Sequence, residues 1–481
     1  MRILHIASEA VPWAKTGGLA DVVGALCSHL AAFGHDVALA LPLYRDLHAP
    51  GPEPGGPAVA VSAGAGQSAR VLPTRYPGGI EVWWVDAPEL FHRDGLYGTA
   101  DGDYPDNALR FAILVRAALD ATRVLNWHPH VIHAHDWQSA LAPIYVARGR
   151  SDAPAHPAVA TVLTIHNMAY QGVFSVEAAR AAELPESEWL HQGGGVGLLK
   201  GGILAADRVT TVSPRYAREI ETPRFGFGLD PWIAGLDPPV AGILNGIDTD
   251  VWNPAADPML PASYDVADLR GKRECKVALQ EEMDLPVDLE VPLFGMVSRM
   301  VGQKGLSLVE ALGDELVERD AQFAFLGTGE RHYERLVESL AKRHAGVAAH
   351  LAFSEELAHR IEAGADFFLM PSEFEPCGLN QMISQRYGTP PIVHRVGGLA
   401  DSVTHASPEA VEAGEATGIV FDHFDAPALS WAVDYAADLF TRPAALAGII
   451  RTGMLRDFSW DRAVREYERL YREAVETIGV T

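Results

Sequence analysis

The chain has 481 residues with 48% hydrophobic side chains, and two domains are expected because one core seldom serves so long a chain. Its formal net charge of −25 argues against nucleic acid and anionic membranes as partners, since both bind basic surfaces. Three cysteines without C-x-x-C spacing argue against a zinc or disulfide framework. The first predicted strand begins at residue 2, which leaves no room for a signal peptide. Together with the few unpaired cysteines, this predicts a cytoplasmic protein.

The first half of the sequence alternates apolar runs with helical patterns, which predicts a mainly parallel sheet covered on both faces. Residues 49–67 are rich in Pro, Gly and Ala and predict a surface excursion. The predicted strands lie at 2–7, 36–43, 81–85, 130–134, 159–165, 207–212 and 240–244, with helical patterns such as 108–125 and 139–148.

A second alternating series begins near residue 291 and predicts a second doubly wound unit. Residues 252–290, with scattered prolines and one helical stretch, predict the connection into it. The sequence ends in an amphipathic stretch from Trp460 to Val475 that needs a packing partner. The predicted strands lie at 291–297, 321–326, 348–353, 366–370, 391–394 and 418–421, and the helices at about 304–318, 331–343, 355–363 and 379–387.

A cation and a glycine turn stand between the first strand and the first helix, in Lys15-Thr16-Gly17-Gly18. The N–H groups and dipole of a helix N-terminus favour an anion, and the missing Cβ atoms allow it to come close, so this segment predicts phosphate binding. A tight strand-to-helix connection is the alternative interpretation. Neither G-x-G-x-x-G after the first strand nor a P-loop is present, which disfavours an ordinary dinucleotide enzyme or a P-loop ATPase.

Two cations follow the first strand of the second series: Arg299 and Lys304, in a glycine-containing turn. A guanidinium and an ammonium together can hold a diphosphate and neutralise the charge that develops as a nucleotide leaves. The alternative is a pair of exposed surface cations. We favour the diphosphate site, because strand ends followed by such turns are where ligands bind in open α/β sheets.

Polar side chains also follow other predicted strands. Glu373 and Glu375 stand at the end of the strand at 366–370, where carboxylates suit hydrogen bonding to sugar hydroxyls. His133, His135 and Asp136 end a strand of the first series, and their i,i+2 histidine spacing without a third clear ligand makes a metal site a weak alternative. We interpret His133 as a structural core histidine.

Several of these segments resemble the glycogen and starch synthase family. Residues 15–19 reproduce its K-T-G-G-L loop, residues 375–379 reproduce its E-P-C-G-L segment, and residues 245–248 match its N-G-I-D. The resemblance runs from Arg2 to about Tyr471 with the motifs in family order. It implies a two-lobed glycosyltransferase of the GT-B type, with Rossmann-like lobes at 1–242 and 243–457, the C-terminal helix 458–481 packing back on the first, and the active site in the cleft between them.

The resemblance implies transfer of glucose from ADP-glucose to the non-reducing 4-OH of an α-1,4-glucan, with retention of configuration and without a cofactor or metal. UDP-glucose as donor, a small acceptor such as glucose 1-phosphate, a sugar-nucleotide epimerase and a non-catalytic glucan- or nucleotide-binding homologue are the alternatives. The catalytic residues that it implies are Lys15, His166, Arg299, Lys304 and Glu375. The substrate-binding residues that it implies are Gly17, Gly18, Asp21, Asp136, Trp137, Asn167, Asn245, Phe353, Cys377, Gly378, Leu379, Gly397 and Gly398.

The sequence departs from the family pattern at several donor-side positions. His394 stands where the family commonly has Arg, and Phe353 where relatives often have a tyrosine that stacks on adenine. Glu373 occupies a position that is more often basic or small, and Gln381 is the nearest polar substitute for a second glutamate of related retaining transferases. These departures leave the charge of the donor site open.

Overall fold

The computed structural model describes residues 1–53, 56, 58–62, 66–99, 101–152 and 158–479, and in it the chain forms two compact units. Unit 1 comprises Met1–Ile243 and Trp460–Thr481, and unit 2 comprises Leu244–Ser459. No helix in the described part of the chain combines the length and the apolar character needed to cross a membrane.

The strands of unit 1 form a nine-stranded sheet and two small accessory sheets. In chain order the strands are β1 Arg2–Ile6, β2 Asp36–Pro42, β3 Val59–Ser62, β4 Ser68–Arg75, β5 Glu81–Asp86, β6 Gly98–Thr99, β7 Gly102–Asp103, β8 Val131–His135, β9 Ala160–Ile165, β10 Val173–Phe174, β11 His191–Gln192, β12 Gly195–Gly197, β13 Arg208–Thr211 and β14 Ala241–Gly242.

The large sheet has the strand order β14-β13-β9-β8-β1-β2-β5-β4-β3, and its strands are parallel except in the pairs β4/β5 and β3/β4. Strand order reverses between β1 and β8, so this is the topological switch point where open α/β sheets bind ligands. The β1 residues pair with Asp36–Ala40 on one side and with Val131–Ala134 on the other.

Helices cover this sheet, and the first of them follows directly from the sequence pattern. In Gly18–Ala32 the side chains of Val22, Val23, Leu26 and Leu30 recur at helical spacing and are buried, and Gly34 (φ +88°) ends the run in the left-handed conformation that glycine adopts without strain. The helices are α1 Gly18–Ala32, α2 Pro88–Phe91, α3 Asn107–Val124, α4 Asp136–Ser139, α5 Leu141–Asp152, α6 Val176–Ala181, α7 Leu198–Ala205, α8 Pro214–Glu219, α9 Pro223–Gly226 and α10 Asp230–Ile233, with a 3₁₀ helix at Glu188–Leu190.

The last helix of the chain, Trp460–Thr477, completes the core of unit 1. Its Val464, Tyr467 and Tyr471 are fully buried in the same cluster as α1 and β2. The Tyr471 hydroxyl also lies 2.7 Å from Nδ1 of His133 on β8. This helix is therefore part of unit 1 although unit 2 precedes it in the sequence.

Unit 2 contains a six-stranded, fully parallel sheet with the order β17-β16-β15-β18-β19-β20, so strand order reverses between β15 and β18. The strands are β15 Leu293–Val297, β16 Gln322–Leu326, β17 Val347–His350, β18 Phe367–Met370, β19 Pro391–His394 and β20 Ile419–Phe421. The helices are α11 Arg270–Glu282, α12 Leu306–Leu312, α13 Asp314–Val317, α14 Arg331–Arg343, α15 Glu355–Gly364, α16 Asn380–Arg386, α17 Gly397–Ser402, α18 Pro408–Glu412, α19 Ala426–Phe440 and α20 Pro443–Met454, with a 3₁₀ helix at Gly302–Lys304.

The α/β class with two doubly wound units is confirmed, and three local predictions need correction in detail. The surface excursion at 49–67 contains β3, which pairs antiparallel with β4 at the sheet edge. The helix expected at 304–318 is interrupted at Gly313, whose φ of +51° is incompatible with a continuous helix. The strand expected at 348–353 ends at His350, because Ser354 caps the next helix by accepting a hydrogen bond from the Leu357 N–H.

Candidate active site

The predicted phosphate loop of unit 1 follows β1 at the switch point, and a carboxylate already occupies it. Glu9 accepts hydrogen bonds from the Thr16 N–H, from the Thr16 hydroxyl (3.0 Å) and from the Gly17 N–H (3.3 Å). The Tyr97 hydroxyl donates to the same carboxylate at 2.7 Å. In this structure the Gly17 N–H is therefore already bound by Glu9, which holds the loop in place.

Sequence reasoning missed Glu9, although a carboxylate three residues after β1 was a usable signal. Lys15 is half-exposed and forms an ion pair with Asp21 in the first turn of α1, with Nζ 2.7 Å from Oδ1. The loop thus presents one ammonium group beside an exposed Gly17-Gly18 backbone.

Asp136 lies at the N-terminus of α4, immediately after β8, in the left-handed conformation (φ +56°). Its Oδ1 accepts a hydrogen bond from the His166 N–H at 2.7 Å, which joins the ends of β8 and β9. Burial raises the pKa of this carboxyl group to about 7, opposed by hydrogen bonds from the backbone N–H groups of His166 and Asn167. The structure therefore places Asp136, His166 and Asn167 together at one edge of the sheet.

Trp137 is mostly buried rather than open to a sugar. Its ring meets Phe111 edge-on, with centroids 5.1 Å apart at an interplanar angle of 86°. A Cβ atom at Gly172 would lie 2.5 Å from the ring, so the Gly172 backbone packs directly on it. These contacts leave 8% of the residue exposed, so little of its ring is open to a ligand.

Among the described residues, one group of side chains has the proximity of a metal site: ring nitrogens of His5, His133 and His135 lie within 4.8 Å of one another. Hydrogen bonds already engage most of these atoms. His133 contacts Thr164 Oγ1 at 2.6 Å through Nε2 and a tyrosine hydroxyl through Nδ1, and both nitrogens of His135 contact other histidines. A metal ion would have to break these contacts, so the rings fit a hydrogen-bonded core better.

In unit 2 the cationic turn after β15 meets the loop after β18. Lys304 forms an ion pair with Oε2 of Glu375, and the Ser372 hydroxyl donates to the same oxygen at 3.1 Å. The side chains of Lys304 and Glu375 are 19% and 9% exposed, so water screens this pair poorly. Arg299 is exposed, and its guanidinium makes no hydrogen bond or ion pair with the residues that the structure describes, so this group is available to a ligand.

Glycines pack the E-P-C-G-L loop against its neighbours. Gly397 has φ +41°, and a Cβ atom there would lie 2.0 Å from the carbonyl oxygen of Glu375. A Cβ at Gly398 would lie 2.1 Å from the carbonyl oxygen of Cys377, and the Gly398 N–H donates to the Glu375 carbonyl at 3.1 Å. Gly378 has φ +71°, a conformation that strains other residues, and its Cβ would lie 2.4 Å from the end of the Gln381 side chain. Backbone atoms leave no room for a Cβ at Gly397 or Gly398.

The remaining predicted residues of unit 2 lie around the same loop. Asn245 is buried and donates through its backbone and side chain to the Cys377 thiol, whose pKa burial raises to about 12. Leu379 is half-buried and precedes α16. Phe353 lies apart from this group, before α15, and is 85% exposed.

Two of the departures from the family pattern, His394 and Glu373, have different surroundings. His394 is buried at the end of β19, with Nδ1 2.9 Å from the Ser372 carbonyl oxygen and its ring stacked on Phe421. It therefore supports the loop that carries Glu375. Glu373 is half-buried, and its N–H donates to the Gln303 carbonyl at 2.9 Å, which ties this loop to the cationic turn.

A family model described as starch synthase catalytic domain matches residues 2–235, and one described as glycosyl transferases group 1 matches residues 280–441. Glycogen synthase 1 of Methylococcus capsulatus is 45% identical over 99% of this chain and 97% of its own length. Glycogen synthase 2 of Geobacter sulfurreducens is 44% identical, over 99% of each chain.

Among solved structures, the catalytic domain of starch synthase IV from Arabidopsis thaliana, bound to ADP and acarbose, matches with a TM-score of 0.87 and 32% identity over 98% of this chain and 99% of that chain. Sucrose-phosphate synthase from Thermosynechococcus elongatus matches with a TM-score of 0.62 and 18% identity over 99% of each chain, and shares the fold alone.

Proposed function

Because the chain belongs to the glycogen and starch synthase family of glycosyltransferases, we propose that it transfers glucose from ADP-glucose to the non-reducing 4-OH of an α-1,4-glucan with retention of configuration. The relatives named glycogen synthase cover the whole chain, and the starch synthase structure holds ADP, which supports a nucleotide-sugar donor. The three cysteines are buried and unpaired, which supports a reducing compartment and hence the cytoplasm.

The single observation that carries the proposal is the arrangement of Arg299, Lys304 and Glu375 at the switch point of unit 2. A diphosphate that leaves the sugar gains negative charge, and two cations at a strand end stabilise that charge most when it is largest. Glu375 holds Lys304 in place before a ligand arrives, which lowers the cost of ordering this flexible side chain. We infer that Lys15 of unit 1 also binds phosphate through its ammonium group.

The polar groups after β8 and β9 are proposed to bind the glucosyl unit. Asp136 and Asn167 offer oxygen acceptors to sugar hydroxyls, and His166 offers a ring nitrogen. In unit 2, Glu375 can accept a hydroxyl hydrogen bond, and the backbone of Gly397-Gly398 can approach phosphate at the start of α17.

The contacts of the candidate carboxylates support retention without a covalent intermediate. Asp136 accepts a backbone hydrogen bond through Oδ1, and Lys304 and Ser372 bind Oε2 of Glu375, so these contacts withdraw charge from both groups and make them poorer nucleophiles. We propose that the acceptor 4-OH attacks on the face that the nucleotide leaves. The departing phosphate then takes the proton of that hydroxyl, and the new glycosidic bond forms as the old one breaks.

The test is incubation of the purified protein with glycogen and radiolabelled ADP-glucose or UDP-glucose in separate reactions. Incorporation from ADP-glucose into polymer, together with ADP release that depends on glycogen, is the expected result. Parallel reactions with glucose 1-phosphate in place of glycogen test a small acceptor. Conversion of the donor to an epimeric sugar nucleotide, without nucleotide release that depends on glycogen, would support an epimerase. No label in polymer from either donor would contradict the proposal.

A further inference from the structure

Three buried histidines in unit 1 form a continuous chain of hydrogen bonds that ends at His166. Nδ1 of His5 lies 3.0 Å from Nε2 of His135, and Nδ1 of His135 lies 3.0 Å from Nε2 of His166. The rings of His5 and His135 are stacked with centroids 5.3 Å apart. The chain joins β1, β8 and the end of β9 across the switch point of the sheet.

All three rings are neutral because they are buried. Desolvation lowers the pKa of His5 and of His166 to about 3, and that of His135 well below its ordinary value. A neutral imidazole carries one N–H donor and one unprotonated acceptor nitrogen. Each hydrogen bond between two rings therefore fixes the tautomer of the next ring. The three rings can donate either all from His5 towards His166 or all from His166 towards His5.

The ring of His5, at one end of this series of hydrogen bonds, decides the direction of donation. Nε2 of His5 is buried and has no hydrogen-bond partner among the described residues. The neighbouring His133 cannot serve it, because both of its nitrogens already contact Thr164 and Tyr471. A buried N–H without an acceptor is rarer than a buried acceptor without a donor, so Nε2 of His5 is the unprotonated nitrogen.

This choice propagates to the other end. His5 then donates from Nδ1 to Nε2 of His135, and His135 donates from Nδ1 to Nε2 of His166. The remaining proton of His166 lies on its Nδ1, which makes no hydrogen bond with the residues that the structure describes.

We propose that His5 and His135 are positioning residues that hold His166 in its Nδ1–H tautomer, so that this ring presents a hydrogen-bond donor to the glucosyl group of the donor substrate. The proposal rests on the assignment of His166 to the glucosyl site under the proposed function. A fixed donor selects an oxygen acceptor on the sugar and needs no proton rearrangement during the reaction.

The direct test is nuclear magnetic resonance of the full chain labelled with ¹⁵N-histidine, with His166→Gln used to assign the His166 signals. Protonated and unprotonated ring nitrogens differ widely in chemical shift, so the tautomer is read without any activity measurement. We expect a proton on Nδ1 and none on Nε2 of His166. A proton on Nε2 of His166, or an imidazolium at His135, would overturn the proposal even if the enzyme is a glycogen synthase.

A matched pair of variants tests the consequence for turnover. His135→Asn keeps an amide N–H near the position of Nδ1, whereas His135→Leu has nearly the same shape and no donor. We expect kcat to fall by about tenfold or more in His135→Leu with little change in KM, and to recover in large part in His135→Asn. His133→Leu removes a buried ring that touches His135 without belonging to the chain, and is expected to leave the His166 tautomer unchanged.

The outcomes separate positioning from packing. Equal kcat in His135→Asn and His135→Leu, with equal thermal stability, would show that the donor at position 135 has no role. If His135→Leu does not fold, the tautomer measured in the unchanged protein still decides. If the original protein shows no glucosyl transfer, the proposed function is contradicted, whereas the measured tautomer of His166 remains valid.

Discussion

Replacement of Lys304 by methionine should separate its role in catalysis from its role in stability. Surface ion pairs contribute about 0.2–1 kcal/mol, and loss of one partner of a fully buried pair costs about 3–5 kcal/mol. With exposures of 19% and 9%, the Lys304–Glu375 pair lies between these limits. We therefore expect Lys304→Met to lower the free energy of unfolding by about 2 kcal/mol, because Glu375 is left poorly hydrated without its cation.

The second substitution Glu375→Gln should restore most of that stability. A glutamine amide oxygen can still accept the hydrogen bond of the Ser372 hydroxyl and carries no charge. Turnover should stay about a hundredfold lower in both the single and the double variant, because the diphosphate lacks a cation in each.

Urea denaturation and initial rates with ADP-glucose and glycogen measure the two effects. Lys342→Met is the control, because its pair with Glu338 on α14 has the same ion types but is 70% and 50% exposed. This change should lower stability by at most about 0.5 kcal/mol and leave turnover unchanged. Restored turnover in the double variant, or near-normal turnover in Lys304→Met, would refute a catalytic role for this cation.

Three further substitutions probe other parts of the molecule. Gly397→Ala should destabilise unit 2 by more than about 2 kcal/mol in urea denaturation, because the new Cβ would overlap the Glu375 carbonyl. The control Gly448→Ala lies inside α20, where a Cβ would meet no atom within 4 Å, and it should be neutral or stabilising by up to about 1 kcal/mol. Equal effects of the two substitutions would contradict the steric argument. Asp136 keeps its proton to about pH 7 in the folded protein but to 3.8 in the unfolded chain, so the folded state binds more protons in this window and stability falls as pH rises through it. Asp136→Asn should remove a decline of about 1.4 kcal/mol per pH unit, and parallel stability profiles of variant and original protein from pH 5 to 8 would show that this group does not titrate there. Phe353→Ala should weaken ADP binding by up to about tenfold in calorimetry, because a stacking ring is lost. The melting temperature of the protein should not fall, because the Phe353 side chain is exposed. An unchanged dissociation constant for ADP would show that Phe353 is not part of the donor site.

Most of the fold could be predicted because buried parallel strands are continuous apolar runs. Every run named in the sequence coincides with an observed strand to within a few residues. The edge strand β3 was missed because four residues, Val59–Ser62, are too few to show alternation inside a segment rich in Pro and Gly. The break of the predicted helix at Gly313 was missed because a single glycine within a helical pattern is usually tolerated.

The candidate site was predictable where side chains are close in sequence to a strand end, and less so where contacts are long-range. Lys304 and Glu375 were both identified, but their ion pair joins positions 71 residues apart and could not be inferred from spacing. His5 and Glu9 were missed because their roles depend on partners in other strands and loops. A sequence pattern indicates which residues belong to a site. The hydrogen-bond or ion-pair partner of each polar atom depends on the tertiary structure.

The position of the last helix also affects how the molecule is made. Ribosomes synthesise a chain from its N-terminus, and domains generally fold as units during synthesis. Unit 2 is continuous in sequence, so it can fold as soon as residue 459 emerges. Most of unit 1 precedes unit 2 in the sequence, yet unit 1 lacks Tyr467 and Tyr471, both wholly buried in its core, until unit 2 has been made. We therefore expect a nascent chain with an apolar groove on unit 1, which chaperones must shield until the helix Trp460–Thr477 has been made.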